Sequence, residues 1–333
     1  MDLDQRIDEA VSAARFSGVI RVDEGDRTVL LRAVGDADRA YGIANAPGTR
    51  FAMASGCKGF TALASVALIE DGAMSYDTTA RSLLRDDLPL IADDVTVEHL
   101  LGHRSGIGDY LDESTGLEVT DRAMTQPVDV LDTTEAFLPE LDGYPTAFPA
   151  GERFAYNNGG FMVLALLAER ASGAPFHDLI QDRVLTPARM ERTAYLRSDE
   201  LPGDVARGYL FDEGLRTNIF HLPVRGNGDG GAYTTAEDML TFWRALFAGA
   251  IVPEARVAEM VRARSEEDDG EARYGLGFWL RTSRDLPALT GYDAGVSFRS
   301  VHDPSTGRTA TAIANWTDGV WDVAEVLDAW LEG

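Results

Sequence analysis

Apolar residues at Ile7, Ala10, Val11 and Ala14 recur at helical spacing and predict a first helix over Leu3 to Arg15. The runs Gly18 to Val22 and Arg27 to Arg32 flank Asp23-Glu24-Gly25-Asp26, the signature of a hairpin with a Gly-containing turn. Residues 36–50 read as loop. A helix follows from about Ser55 to Glu70 and ends at Asp71-Gly72, a C-cap signal. From there to about Gly230 the pattern is mostly helical with long irregular connections. Val95 to Leu101 is short and apolar-periodic, with Thr96 placed to cap it. Gly160 to Ser172 is amphipathic and stops at Gly173-Ala174-Pro175, and Phe176 to Leu185 stops near Pro187. Residues 198–232, rich in Gly, Asp and Asn, read as surface loop. Ala236 to Ala248 returns to helix behind Thr235. Strand patterns come last, at Tyr274 to Arg281, Phe298 to His302 and Thr309 to Ala314, before a closing helix over Val320 to Leu331.

Strands thus lie at both ends and helices between them. The simplest arrangement is an α+β chain whose sheet is built from both termini. On that reading residues 1–76 and 233–333 form a sheet domain, and 77–232 form an inserted, mostly helical domain, with the active site between the two.

Composition adds little to the fold and more to the partners. Apolar residues are 45 % and charged residues 26 %, ordinary for a globular protein. The 55 acidic against 30 basic residues give a net charge of −25, which repels nucleic acid and anionic membrane. Neither is expected as a partner. Cys57 is the single cysteine, so no intramolecular disulfide or cysteine zinc site can form, and its place on the helix suggests a small buried hydrophobe. The acidic start Met1-Asp2-Leu3-Asp4 carries no signal-peptide pattern, and no run has transmembrane length, so a cytoplasmic protein is expected.

One count changes the chemical picture. Of the 30 basic residues, 29 are arginine, and Lys58 is the only lysine. Arginine stays protonated, whereas a buried amine can shed its proton and act as a base. Lys58 lies three residues after Ser55, and on a helix positions i and i+3 share a face. A hydroxyl beside a deprotonatable amine is one way to build an activated nucleophile. A Ser-His-Asp scheme is the rival, but no G-x-S-x-G elbow surrounds any serine. His99 and His103 are spaced i, i+4, yet no third ligand accompanies them and they read as structural, with His103 bonded to a loop carbonyl. His177, His221 and His302 receive no role. Phe220, Tyr233 and Trp316 read as packing with some chance to line a pocket, and Asp229-Gly230-Gly231 reads as a turn.

Several stretches together resemble one family. Ser55-Gly56-Cys57-Lys58 looks like the S-x-x-K motif of the serine β-lactamase and penicillin-binding-protein superfamily. Leu100-Leu101-Gly102-His103-Arg104-Ser105-Gly106 is similar to the "LLxHxSG" signature of its class C-like branch, and Tyr156-Asn157-Asn158 to its Y-x-N element. Gly226 to Thr235 resembles the Gly-rich return to the sheet domain. That branch includes relatives of D-alanyl-D-alanine carboxypeptidases and family VIII esterases. The resemblance implies the β-lactamase/transpeptidase fold, an α/β sandwich on an antiparallel sheet. It implies no cofactor or metal and a small-molecule ester or amide as the partner. It makes Ser55 the acylated nucleophile, Lys58 its base, Tyr156 the second acid/base and Asn158 the group that orients Lys58 and the substrate. Its oxyanion hole maps to the N–H groups of Ser55 and Gly295. Asp109 and Tyr110 are expected to line the pocket.

The third family motif departs. K-T-G or H-x-G is usual on the strand beside the active site. Here the stretch is Thr290-Gly291-Tyr292-Asp293-Ala294-Gly295, with Tyr292 in place of the cation and Asp293 in place of the hydroxyl. Tyr292, Asp293 and Ala294 are taken as substrate-binding, and an acid there repels the carboxylate of a β-lactam or a C-terminal D-residue. Arg299 is expected to face solvent or pair with an acid. The resulting expectation is a serine hydrolase acting on a small ester or peptide-like amide and weak on β-lactams. The alternatives are a penicillin-binding protein, D-amino-acid peptidase or β-lactamase, and a non-hydrolytic binding module on the same fold.

Overall fold

The structure is a computed structural model that describes residues 2–266, 272–281 and 283–333, so the expected sheet segment 233–333 includes residues 267–271 and 282 that lie outside the described ones. Gly18–Glu24 (β1) and Arg27–Val34 (β2) form the expected hairpin, with Gly25 at φ +57° in its turn. Six further strands come from the C-terminal third: Ser265–Glu266 (β3), Arg273–Tyr274 (β4), Trp279–Arg281 (β5), Leu286–Asp293 (β6), Val296–Asp303 (β7) and Arg308–Ala314 (β8). They make one antiparallel sheet in the order β2-β1-β8-β7-β6-β5-β4-β3. The register of β1 on β8, from Gly18↔Ala314 to Glu24↔Arg308, is what joins the two ends of the chain.

Five helices matter for the site: Leu3–Ala13 (α1), Lys58–Glu70 (α2), Asn158–Ser172 (α3), Ala236–Phe247 (α4) and Trp321–Glu332 (α5). Strand residues alternate between two cores because successive side chains leave opposite faces of a strand. Ile20, Val22, Val301, Ala310 and Ala312 join Ile7 of α1 and Val323 and Leu327 of α5. Val19, Leu289, Phe298 and Ile313 join the side chains of α2 and α4 on the other face. The result is a sheet covered by helices on both sides. From Lys58 to Leu68 every residue of α2 is buried, so the helix shows no polar stripe and lies inside the molecule between the sheet and α3. Removing one of the large side chains beneath it, such as Phe298, costs about 3–5 kcal/mol.

Several expectations need correction. Residues 36–50 hold a small ladder, Asp36–Asp38 against Ile43–Ala44. The helix from Phe176 continues past Leu185 through a π turn into Thr186–Ala188. Pro187 stands at the end of this helix, directly after the π turn, so its missing N–H falls where the regular i→i−4 ladder is already interrupted. Tyr274 to Arg281 is two strands split by a turn with Gly277 at φ +85°. The hydrophobic pattern does not mark the strand Leu286–Asp293; only the resemblance places its Thr290–Asp293 end on a strand. It runs between two others with helices over both faces, so its first residues are continuously apolar and lack the alternation that marks a half-exposed strand. The stretch 198–232 lacks regular helix or strand, as expected, but its end is not surface: Gly226, Asn227, Gly228, Asp229 and Ala232 are buried.

Candidate active site

Ser55 sits in a 3₁₀ turn, Ala54–Cys57, that leads directly into α2. The turn is held from three sides. Phe51–Ala52 pairs with Tyr233–Thr234, the Met53 N–H donates to Ala232 O at 2.9 Å, and the Gly231 N–H donates to Ala54 O at 3.3 Å. Ala54 stands at φ +43°, a left-handed conformation that costs energy for a residue with a Cβ and persists only where the surroundings enforce it. Beneath the turn runs β6. A Cβ on Gly291 would lie 2.0 Å from Met53 O, so only glycine lets the strand pass this close to the Ser55 turn.

Lys58, the first residue of α2, is 2 % exposed. Its Nζ lies 2.8 Å from Ser55 Oγ, 2.8 Å from Asn158 Oδ1 and 2.6 Å from Asp229 O. Two of these partners are acceptors only. Asp229 offers a carbonyl, and the Asn158 amide is fixed because its Nδ2 donates to Leu111 O and to Glu113 Oε1, both at 3.0 Å. A neutral amine has two N–H groups and one lone pair. In the neutral form both N–H groups would be so engaged and the lone pair would face the Ser55 hydroxyl, the geometry needed to receive its proton. Cys57, between the two, is buried and points elsewhere, as expected.

Tyr156 and Asn158 arrive together at the start of α3. Asn157 caps the helix, accepting from the Gly160 N–H at 2.6 Å. The Asp109 carboxylate accepts from the N–H groups of Asn158 at 2.7 Å and Gly159 at 2.8 Å, where the helix dipole favours an anion. Burial nevertheless pushes the Asp109 carboxyl up to about 6. The Tyr156 ring stacks on Trp279 at 5.7 Å and lies 4.3 Å from His103. Burial, with the charge of Glu113 adding to it, holds the Tyr156 phenol well above its usual range, while a hydrogen bond to Ser55 pulls the other way. The phenol therefore stays protonated at neutral pH and is a proton donor beside the serine.

Ser55 and Asn158 border a cleft of about 1010 Å³, its open mouth included. Ser55, Tyr110, Glu113, Asn158, Asp229 and Asp293 line it. Three of those are acids. The buried Asp229 carboxylate accepts from the Tyr110 hydroxyl and is raised above the usual range by burial. Burial likewise pushes Asp293 up to about 7, with the charges of Asp229 and Glu113 adding to it. Asp293 accepts from the Ala294 N–H and forms no ion pair among the described residues.

Of the expected site residues, Ser55, Lys58, Tyr156 and Asn158 converge within hydrogen-bond or ring contact, and Tyr110, Tyr292 and Asp293 border the same cleft. Others are placed differently. Gly295 does not present its N–H to Ser55. It occupies the hairpin turn at φ +73° and donates to Thr317 Oγ1 at 3.0 Å. Ala294 is fully buried, its carbonyl accepting from Asn218. Asp109 serves the start of α3 and lines, with Glu113 and Tyr156, a second cleft. The Tyr292 ring packs against Trp321 at 5.7 Å. The His103 ring accepts from the Asn157 N–H and bonds no carbonyl among the described residues. Arg299 pairs with an acid, as expected, with Asp328 at 2.8 Å. Asp229 and Glu113 were missed. Asp229 acts through a backbone carbonyl, which any residue supplies, and Glu113 lies in a loop without periodicity. Glu140 was also missed. It is 2 % exposed and accepts from Thr125 and Gln126, anchoring the loop that carries the cleft residues Arg122, Ala123 and Met124.

Known proteins share this fold. The family described as Beta-lactamase matches residues 3–332. The crystal structure of a penicillin-binding protein from Bacillus halodurans is similar with a TM-score of 0.90 and 35 % identity, over 97 % of this chain and 99 % of that one. Penicillin-binding protein 4* of Bacillus subtilis (strain 168) is 27 % identical over 297 residues, 84 % of this chain and 63 % of that protein, so the chain spans less than two thirds of that relative. Esterase EstB of Burkholderia gladioli is 28 % identical over 320 residues, 87 % of this chain and 81 % of that protein. The fold expected from the motifs is the fold found, and the chain belongs to the Beta-lactamase family.

Proposed function

We propose that the protein is a serine hydrolase that forms an acyl-enzyme on Ser55 and cleaves a small ester or peptide-like amide. The observation that carries this reading is the Lys58 amine, 2.8 Å from Ser55 Oγ with its other hydrogen-bonding directions committed to Asn158 and Asp229. Lys58 takes the hydroxyl proton as Ser55 Oγ attacks the substrate carbonyl. Tyr156 passes a proton to the leaving group, and water then attacks the acyl ester with the same groups returning the proton. The oxyanion is received by the Ser55 N–H and by an N–H on the β6 edge. That edge is open beside Ser55 because β5 pairs with β6 only over Leu286–Ala288. On this reading 77–232 is an insertion into a sheet domain of 1–76 and 233–333, and the substrate lies between them.

Asp293 favours substrates without a carboxylate beside the scissile bond, which sets β-lactams at a disadvantage. In support, a protein named as an esterase is among the relatives. The test is intact-protein mass spectrometry after incubation with an activated short-chain ester and, separately, with a penicillin. The expected result is ester turnover through a Ser55 adduct that Ser55→Ala abolishes, with no lasting penicillin adduct. Full turnover in Ser55→Ala, or acylation of another residue, overturns the reading. A stable penicillin adduct on Ser55 keeps the nucleophile and moves the substrate toward that of a penicillin-binding protein.

A further inference from the structure

His103 is 1 % exposed and stands at φ +53° just before the cleft wall. It is bonded to the residues on either side of Tyr156. The Ala155 N–H donates to His103 O at 2.9 Å, and the Asn157 N–H donates to His103 Nδ1 at 3.0 Å. Tyr156 and Asn158 thus emerge from a segment pinned to a single residue. The same strap continues at Asn157 Nδ2, which donates to Ile107 O at 2.9 Å. The imidazole lies 4.3 Å from the Tyr156 ring and 4.8 Å from Phe161, with Tyr274 at 4.7 Å and Phe154 at 5.9 Å completing its surroundings.

Because Nδ1 accepts, the proton of the neutral ring is on Nε2, and Nε2 is buried with no hydrogen-bond partner among the described residues. An orphaned buried donor is a cost that phenylalanine would avoid at the same volume, so ring packing alone does not explain a histidine here. What phenylalanine lacks is the in-plane acceptor for the Asn157 N–H. We propose that His103 is a positioning residue: its neutral imidazole fixes Ala155–Asn157 and so sets where Tyr156 and Asn158 meet Ser55 and Lys58. A protonated ring would present a donor to the Asn157 N–H and a second cation to Lys58. Burial, and then the charge of Lys58, hold His103 well below the usual histidine range and keep it in the accepting form. Tyr156, Tyr274 and Lys58 are the titratable groups around it. The inference rests on the acyl-enzyme reading above.

The test compares His103→Asn, whose Oδ1 can replace Nδ1 as acceptor, with His103→Phe, which keeps a ring and leaves the Asn157 N–H unpaired. Ser55→Ala is the baseline on the same chromogenic ester. His103→Phe is expected to lose about 10²-fold in kcat, the scale of a small misplacement of catalytic groups. Its KM should change by less than about threefold, and His103→Asn should recover about tenfold of the loss. Wild-type kcat in His103→Phe overturns the inference, as does a His103→Asn variant impaired equally. Nitrogen NMR of the unsubstituted protein decides the point if the Phe variant does not fold: a neutral ring with the proton on Nε2 is required, and a proton on Nδ1 overturns it. If Ser55→Ala retains turnover, the acyl-enzyme reading fails instead, whatever residue 103 does.

Discussion

Lys58 and Asp293 border one reaction space under opposite conditions. Lys58 is 2 % exposed and its nitrogen has three polar partners, all supplied by the chain. Asp293 accepts from one backbone N–H and forms no ion pair among the described residues. The lysine corner is self-sufficient and rigid: its geometry exists before any substrate arrives, as electrostatic preorganisation requires. The Asp293 edge is unsatisfied and acquires its complement only from what binds. The chemistry is thus fixed by the chain, and selectivity is left to the strand edge and the loops around it.

The largest effect expected from this contrast is at Lys58. Lys58→Arg keeps a cation but loses the capacity to accept the serine proton, and turnover of a chromogenic ester should fall by about 10²–10⁴-fold. A loss below about tenfold would mean that the amine is only a charge and would remove the distinction between the two sides. Next is Gly291→Ala, which drives a Cβ into Met53 O at 2.0 Å and shifts the nucleophile turn off the strand. Stability should fall by about 1–3 kcal/mol, read by denaturant unfolding, and kcat by about 10²-fold. An unaffected kcat would show that the turn does not depend on the strand for its position.

Asp293→Asn should leave an uncharged ester within a few-fold of its original rate and improve an otherwise matched substrate bearing a carboxylate by about tenfold in kcat/KM. Equal effects on both would take selectivity away from this edge. The smallest effect is on stability. Burial raises Asp293 to about 7 in the folded protein, against about 3.9 for an unfolded aspartate. Between those values the folded state holds a proton the unfolded state has released, so stability falls as pH rises through the window. Asp293→Asn removes that slope, and its melting point should gain a few degrees more over the parent at pH 8 than at pH 5. A pH-independent difference would contradict it.

The sequence by itself determined the elements with a strong period and a cap. Thr96, Asn157 and Thr235 each cap the helix start that the pattern marks, and Gly173 takes the left-handed end of α3. It also determined the pairing of Ser55 with Lys58, because a spacing of three on one turn is local geometry. Tyr156 and Asn158 were legible only because they resemble a motif, and no local rule brings them near a serine 100 residues earlier. What tertiary structure alone decided is whatever depends on backbone atoms or on burial from two sides. β6 lost its alternation because helices cover both of its faces. Asp229 matters through a carbonyl, which leaves no trace in side-chain identity. Gly295 carries an N–H that the sequence cannot aim: the hairpin turn points it at Thr317, away from the nucleophile. Side-chain chemistry is written residue by residue, whereas the direction of a backbone dipole exists only once the chain has folded around it.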